Sequence, residues 1–312
     1  MAQSRRPRRR VDGVLLLDKP AGMTSNAALQ AAKRLFEAEK AGHTGTLDPF
    51  ATGLLPLCFG DATKFAQMLL DAHKSYVAQV RFGVRTTTGD VDGEVIATAP
   101  ADFDRATIEA ALPPFRGRIL QTPPMHSALK RDGRAYYTYA RQGVELDRMA
   151  REVLVERIAL GDWRPPLATL EVTCGKGTYV RVLAEDLGAA LGCGAHLAAL
   201  RRTASGGFAL ADAVTLDALA EADMATRLRW LRPAETLLET LPALDVGAAD
   251  ADALRHGRSV AMPGAAPGRY RCRDPRGVLI GVIEVAGGML VAQRLCRTDA
   301  PSAAPAEASA HA

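Results

Sequence analysis

The sequence predicts an α+β chain: a large sheet-based domain flanked by helices, followed by a small β-barrel. Three stretches carry that reading. Lys74–Val84, KSYVAQVRFGV, alternates cleanly, with Tyr76, Ala78, Val80 and Phe82 on one face and Gln79 and Arg81 on the other. Helical patterns are interleaved with such strands; in the first, Leu29, Ala32 and Phe36 form one apolar stripe. From about Leu244 the pattern changes to short β-prone runs separated by Gly- and Pro-rich turns, which reads as a small barrel. A length of 312 residues accommodates one large domain plus a small one.

Taken in order, the chain opens with Arg5, Arg6, Arg8, Arg9 and Arg10, read as a basic disordered tail over residues 1–10. Gly13–Leu17 is a short apolar strand ending in the turn Asp18-Lys19-Pro20. Thr24, Ser25 or Asn26 can cap a helix running to about Lys40, and Asp61 is placed to cap a second over Ala62–Leu70. After the alternating strand, Thr86–Glu94 reads as a hairpin turn. Its Asp90-Val91-Asp92-Gly93 lacks the remaining ligands of a calcium loop. Phe103–Leu112 is a helix stopped by Pro113-Pro114; Val153–Leu160 and Leu167–Cys174 are strands. Gly175-Lys176-Gly177-Thr178-Tyr179-Val180-Arg181 then leads into an amphipathic helix near Val182–Leu191. If Thr178–Arg181 is extended, Tyr179 and Arg181 share a face. His196 takes a structural place in apolar surroundings. Further helical patterns cover Leu216–Glu221 and Ala234–Leu241. The barrel strands are Ser259–Met262, Arg269–Arg273, Val278–Val285 and Met289–Leu295, and the Ala/Pro/Ser-rich end, residues 298–312, is expected to be disordered.

Composition narrows the function classes. Lys and Arg number 39 against 35 Asp and Glu, a mild basic excess compatible with nucleic acid without requiring it. The five cysteines form no CxxC pair and match no zinc spacing, so a disulfide framework and a structural zinc site are both disfavoured and a reducing cytosol is expected. No apolar run reaches the roughly 18 residues of a membrane span.

Two stretches concentrate chemistry. Ala41–Gly60, AGHTGTLDPFATGLLPLCFG, places Asp48 between Leu47 and Pro49 in a glycine-rich loop. A lone carboxylate beside Leu, Pro and Phe is awkward to bury without a cation, which marks a site. On the residues alone, an Asp-Pro turn feeding a buried strand is the stronger reading. Gln121–Gly143 interleaves Lys130, Arg131, Arg134 and Arg141 with Tyr136, Tyr137 and Tyr139. Such mixing suits a surface that follows phosphates and stacks bases, and equally a solvated helical face over packed tyrosines.

The string GHTGTLDPFATGLLP resembles the signature loop of the TruB family, the bacterial tRNA pseudouridine-55 synthases. GVLLLDKPAGMTSN, LLDAHKSYVAQVRFGVRTTTGDVDG, CGKGTYVRVLAEDLG and GCGAHLAALRR resemble its further motifs, and PPMHSALKRDGRAYYTYARQG its RNA-covering insertion. The resemblance implies a pseudouridine synthase fold, with a mixed, mainly antiparallel sheet over residues 11–243 and the insertion at about 121–150. A PUA-like RNA-binding barrel would occupy 244–297, where the match is weakest. It implies Asp48 as the catalytic carboxylate, Arg181 as its counterion and Tyr76 as stacking platform and proton acceptor. His43 would replace the extruded base, Tyr179 and Leu200 would shape the pocket, and Lys19 and Lys130 would meet the RNA backbone. For Lys19, a solvated turn lysine is an equal alternative.

The implied partner is the T-arm of tRNA, bound by a cytoplasmic monomer with no membrane and no obligatory protein partner. The implied reaction is an isomerisation without net redox change, so neither cofactor nor metal is expected. Two rivals stand beside it. A non-catalytic RNA-binding protein would need the basic and aromatic surface but not Asp48. A carboxylate glycosidase would need a second carboxylate, for which Asp90 or Asp186 would have to approach in space.

Overall fold

The computed structural model describes residues 8–127 and 129–297. In chain order the main domain contains β1 (Gly13–Lys19), α1 (Ser25–Leu35), β2 (Ala41–His43), β3 (Thr52–Phe59), α2 (Ala66–Leu70) and β4 (Lys74–Phe82). A hairpin of β5 (Val84–Thr86) and β6 (Val95–Thr98) precedes α3 (Arg105–Ala111) and β7 (Gly117–Gln121). The insertion holds β8 (Lys130–Arg131), β9 (Arg134–Ala135) and α4 (Tyr136–Ala140). Then come β10 (Arg151–Arg164), β11 (Leu167–Cys174), α5 (Val180–Ala190), β12 (Ala195–Ser205), β13 (Phe208–Ala209), β14 (Val214–Thr215), α6 (Leu216–Glu221) and α7 (Met224–Arg229). The C-terminal unit comprises β15 (Ala243–Asp245), α8 (Ala248–Arg255), β16 (Val260–Ala261), β17 (Gly268–Arg273), β18 (Leu279–Ala286) and β19 (Met289–Leu295).

The main sheet has ten strands, ordered β14-β1-β3-β12-β4-β11-β10-β7, with β2 beside β3 and β13 beside β12. Only β1–β14 and β3–β12 run parallel; the other pairs are antiparallel. The fold is therefore α+β with a mainly antiparallel sheet, as expected. The alternation in β4 does what its sequence dictates: Ala78, Val80 and Phe82 are buried while Gln79 and Arg81 are exposed. Phe82, Val80, Val172 and Leu170 pack under α3 and α5 through Ile108, Leu183 and Leu187. At the other end, Leu15, Leu17, Leu55 and Leu57 close against Leu29 and Ala32 of α1 and against Phe36, its C-cap.

β15-β17-β18-β19-β16 form a second sheet with its own core of Leu254, Cys272, Ile283 and Leu290. Val282 of this unit also joins the cluster of Val14, Leu16, Leu54 and Phe65 behind the main sheet. Polar ties reinforce that seam. Lys64 Nζ donates to Leu295 O at 2.8 Å, and Arg297 N donates to Asp61 Oδ2 at 2.6 Å.

Several sequence expectations change here. Asp61 caps no α-helix; Gly60–Lys64 is a 3-10 turn, and the Asp61 carboxylate is committed to Lys64 and Arg297. α1 is capped by Thr24, which accepts from Ala27 N, but it stops at Leu35 because Glu37 takes a left-handed φ of 51°. The basic run over 1–10 is anchored at its end: Arg9 N donates to Glu37 O, and its side chain pairs with Glu37 at 2.8 Å. Arg5, Arg6 and residues 298–312 lie outside the described residues. Ala234–Leu238 is 3-10 rather than α, and α7 and α8 are short helices that the sequence pattern does not predict.

Asp274 gives the C-terminal unit a titratable brace. Burial alone would raise its carboxyl. Arg255 at 2.7 Å, Arg276, and the N–H groups of Arg276 and Val278 outweigh that and lower it to about 2. A carboxyl lowered in the folded state adds stability above its unfolded pKa and loses it as pH falls through the folded value. Asp274→Asn is therefore expected to cost about 2 kcal/mol at pH 7 in urea unfolding. The difference from wild type should vanish as pH approaches about 2; a difference independent of pH would contradict this.

Candidate active site

The loop between β2 and β3 carries Asp48, and three buried side chains hold it. Ser25, at the start of α1, accepts from Leu47 N at 2.8 Å and donates to Leu47 O at 3.0 Å. Lys19 is fully buried. Its Nζ donates to Pro20 O, Met23 O and Pro49 O at 2.7, 2.8 and 3.3 Å. Arg202 on β12 donates through Nε to Leu54 O at 2.6 Å and through Nη2 to Gly45 O at 3.3 Å. Gly22 N also donates to Pro49 O. Gly45, at φ +142°, is the one loop glycine where backbone shape itself demands the residue.

Lys19 is thus neither a solvated turn lysine nor a free phosphate contact. The strand continues through it, and its ammonium is satisfied by three carbonyls under the loop. Burial lowers its pKa to about 8, against the pull of Asp48.

Arg181 reaches the loop from the first turn of α5. Thr178–Arg181 is not an extended run. Tyr179 is the helix N-cap, and the side chain of Gln121 holds it by accepting from Tyr179 N at 2.7 Å and donating to Tyr179 O at 3.1 Å. The Arg181 side chain is 4% exposed. Its Nε lies 3.1 Å from Asp48 Oδ2 and 3.4 Å from Asp90 Oδ2. Nη1 donates to Thr88 O at 2.9 Å and Nη2 to His126 O at 2.7 Å. Every nitrogen of the guanidinium is engaged, so its position is fixed from three segments at once.

Asp48 itself is 35% exposed at its side chain. Desolvation raises its pKa above 3.8. The Arg181 guanidinium opposes that shift, and the Asp90 carboxylate adds to it. Asp90 does not line the cavity that Asp48 faces, and it meets the same guanidinium nitrogen rather than the far side of the space. Among the described residues neither Asp90 nor Asp186 joins Asp48 in the lining, so the carboxylate pair that a glycosidase requires across the scissile bond is not formed there.

That cavity has a volume of about 340 Å³. Asp48, Tyr76, Tyr179, Arg181 and Leu200 all line it, joined by His126 and Lys74. Tyr76 comes from β4 and packs on the main core. Burial pushes its phenol above the ordinary value, with Arg202 opposing. Leu200, on β12 beside β4, is 8% exposed and gives the cavity an apolar wall.

Not every expected residue comes to this space. His43 stands on β2 outside the lining, and burial and Arg202 lower its pKa, which leaves it neutral at pH 7. Lys130 lies exposed on the β8–β9 hairpin, also outside the lining. His196 is structural, with Nδ1 2.9 Å from Val84 O. The sequence pattern alone assigns no site role to Gln121, Lys74 or Arg202. Asp90 stands in a turn by its sequence, and its contact with Arg181 is set only by the fold.

Comparison with known proteins fits this geometry. The model described as TruB family pseudouridylate synthase (N terminal domain) matches residues 33–180. The tRNA pseudouridylate synthase B C-terminal domain matches 181–239, and the tRNA Pseudouridine synthase II C-terminal model matches 241–292. The chain is 54% identical to tRNA pseudouridine synthase B of Burkholderia lata over 300 residues, covering 94% of this chain and 93% of that protein. The chain belongs to the TruB family.

The homologous protein of Thiobacillus denitrificans is 55% identical over 291 residues, 93% of this chain and 98% of that protein. Among solved structures, the archaeal box H/ACA sRNP Nop10-Cbf5 complex contains a similar chain, at 26% identity and a TM-score of 0.70. The match covers 92% of this chain and 87% of that one. An H/ACA RNP bound to a substrate RNA containing 2'-deoxyuridine gives 26% identity and a TM-score of 0.69, covering 91% and 84%. The boundary between the first two TruB segments falls within α5. Asp48 and Tyr76 therefore come from one segment, and Arg181 and Leu200 from the next.

The electrostatics give a signed prediction. In ¹³C-detected titration the Asp48 carboxyl is expected to titrate above 3.8, and Arg181→Met should move it higher still by removing the cation that opposes desolvation. Titration at or below 3.8, or a downward shift in the variant, would contradict this account.

Proposed function

We propose that the protein converts the T-loop uridine at position 55 of tRNA to pseudouridine, using Asp48 as the catalytic carboxylate. The observation that carries this reading is a solvent-reachable carboxylate held 3.1 Å from a buried guanidinium, facing a cavity walled by Tyr76 and Leu200. Ring and aliphatic surface suit a flat uracil, and a cavity of about 340 Å³ suits one flipped nucleotide. The resemblance of the chain to proteins named tRNA pseudouridine synthase B supports the substrate.

The reaction breaks the C1'–N1 glycosidic bond, turns the uracil and forms a C1'–C5 bond. The proton on C5 leaves and N1 regains one, so atoms and electrons balance within the substrate. Asp48, ionised beside Arg181, supplies the negative charge needed as the glycosidic bond opens. Arg181 keeps that carboxylate charged in a partly desolvated place. Tyr76 stacks on the uracil, but burial pushes its phenol above the ordinary value and keeps it protonated, so it does not serve as the acceptor of the C5 proton that the resemblance implies. The nucleotide must leave the T-loop stack to enter, and the exposed basic hairpin bearing Lys130 and Arg131 meets the RNA backbone beside the cavity. The working unit of this reading is a monomer acting in the cytoplasm.

Release of tritium from tRNA labelled at uridine C5 tests the assignment. Asp48→Asn is expected to lower turnover by at least about a thousandfold while tRNA affinity stays near wild type. Wild-type turnover in that variant would overturn the catalytic role, and free uracil as product would indicate glycosidase chemistry instead.

A further inference from the structure

Arg202 is the more deeply buried of two buried cations, Lys74 being the other, that line the cavity and that the mechanism leaves unused. It is 1% exposed and the bulkiest of the fully buried side chains among the described residues. No carboxylate among those residues pairs with it; it donates to the carbonyls of Leu54 and Gly45 and stands across from Tyr76 on the neighbouring strand. Retaining such a charge without a counterion is unfavourable unless hydrogen bonds compensate. Leu54 and Gly45 stand at the two ends of the loop that presents Asp48, so one guanidinium spans its base. The backbone is locked there too. Arg202 lies opposite Gly53 on β3 and Tyr76 on β4. A Cβ at Gly53 would stand 2.3 Å from Arg202 O, so only glycine lets the strands approach this closely.

We propose that Arg202 is a positioning residue for the isomerisation: from the buried side of the cavity wall it fixes the span of the Asp48 loop beside the Tyr76 ring, acting through the loop rather than on the RNA. The proposal rests on the pseudouridine synthase reading of this site. A neutral side chain could fill the space, but it could not donate to both carbonyls and lie beside the Tyr76 ring at once. Lysine keeps the charge and reaches one carbonyl, which makes it the partial rescue.

Arg202→Gln and Arg202→Lys are compared with wild type and Asp48→Asn for kcat, KM, tRNA affinity and melting temperature. Loss of loop positioning is expected to lower kcat by about a hundredfold in Arg202→Gln and about tenfold in Arg202→Lys. KM and affinity should stay within about twofold of wild type in both. A folded Arg202→Gln with kcat within about twofold of wild type would overturn the proposal. So would a rise in KM at unchanged kcat, which marks an RNA contact, or equal losses in both variants. If Arg202→Gln does not fold, Arg202→Lys decides alone, by a kcat loss with unchanged KM against no loss. Asp48→Asn separates the two levels: activity in that variant defeats the functional reading, whereas an active Arg202→Gln beside an inactive Asp48→Asn defeats only the positioning role.

Discussion

The site depends on one ion pair, Arg181 with Asp48. A guanidinium held from three segments cannot follow a moving carboxylate, so the carboxylate must be brought to it and kept there. Asp48 stays partly open to solvent while its partner is buried, an asymmetry suited to a group that must meet substrate. Asp90 on the same nitrogen balances the cation, so Arg181 is not neutralised by Asp48 alone and the burial of its charge is shared.

The wider fold serves that pairing. β4 and β12 run antiparallel through the centre of the sheet and present Tyr76, Leu200 and Arg202 to the cavity. α5 packs on β12 closely enough that a Cβ on Gly188 would stand 2.3 Å from Ala195 N, which sets the helix whose first turn carries Arg181. Lys19, Ser25 and Arg202 brace the loop from below and from both ends. Three buried polar side chains satisfied by backbone carbonyls and N–H groups make a rigid support, because releasing any of them would strand polar groups. The C-terminal unit joins the same scaffold through Val282 behind β1 and β3.

Much of this was legible in the string, for physical reasons that can be named. Period-two alternation identified β4 and its faces, and the residues that resemble the TruB motifs singled out Asp48, Tyr76, Arg181 and Leu200, which the fold gathers at one cavity. What the string hid is the part set by tertiary partners. Lys19 looks solvated beside Asp18 and Pro20, yet three carbonyls brought together by the fold make burial tolerable. Arg181 looks extended after Gly177, yet the Gln121 side chain, from a distant strand, supplies the polar groups that let the helix start earlier. Asp90 reads as a turn residue because its partner lies far away in sequence, and Arg202 reads as one of two adjacent arginines, although Arg201 faces Asp18 at the surface while Arg202 is enclosed.

A double-mutant cycle on kcat between Asp48→Asn and Arg181→Lys tests the central pairing most directly. If the guanidinium acts through the carboxylate, the second substitution should add almost nothing once Asp48 is neutral, giving a coupling comparable to the whole effect of Arg181→Lys alone. Losses that simply multiply would show two independent groups and contradict the account.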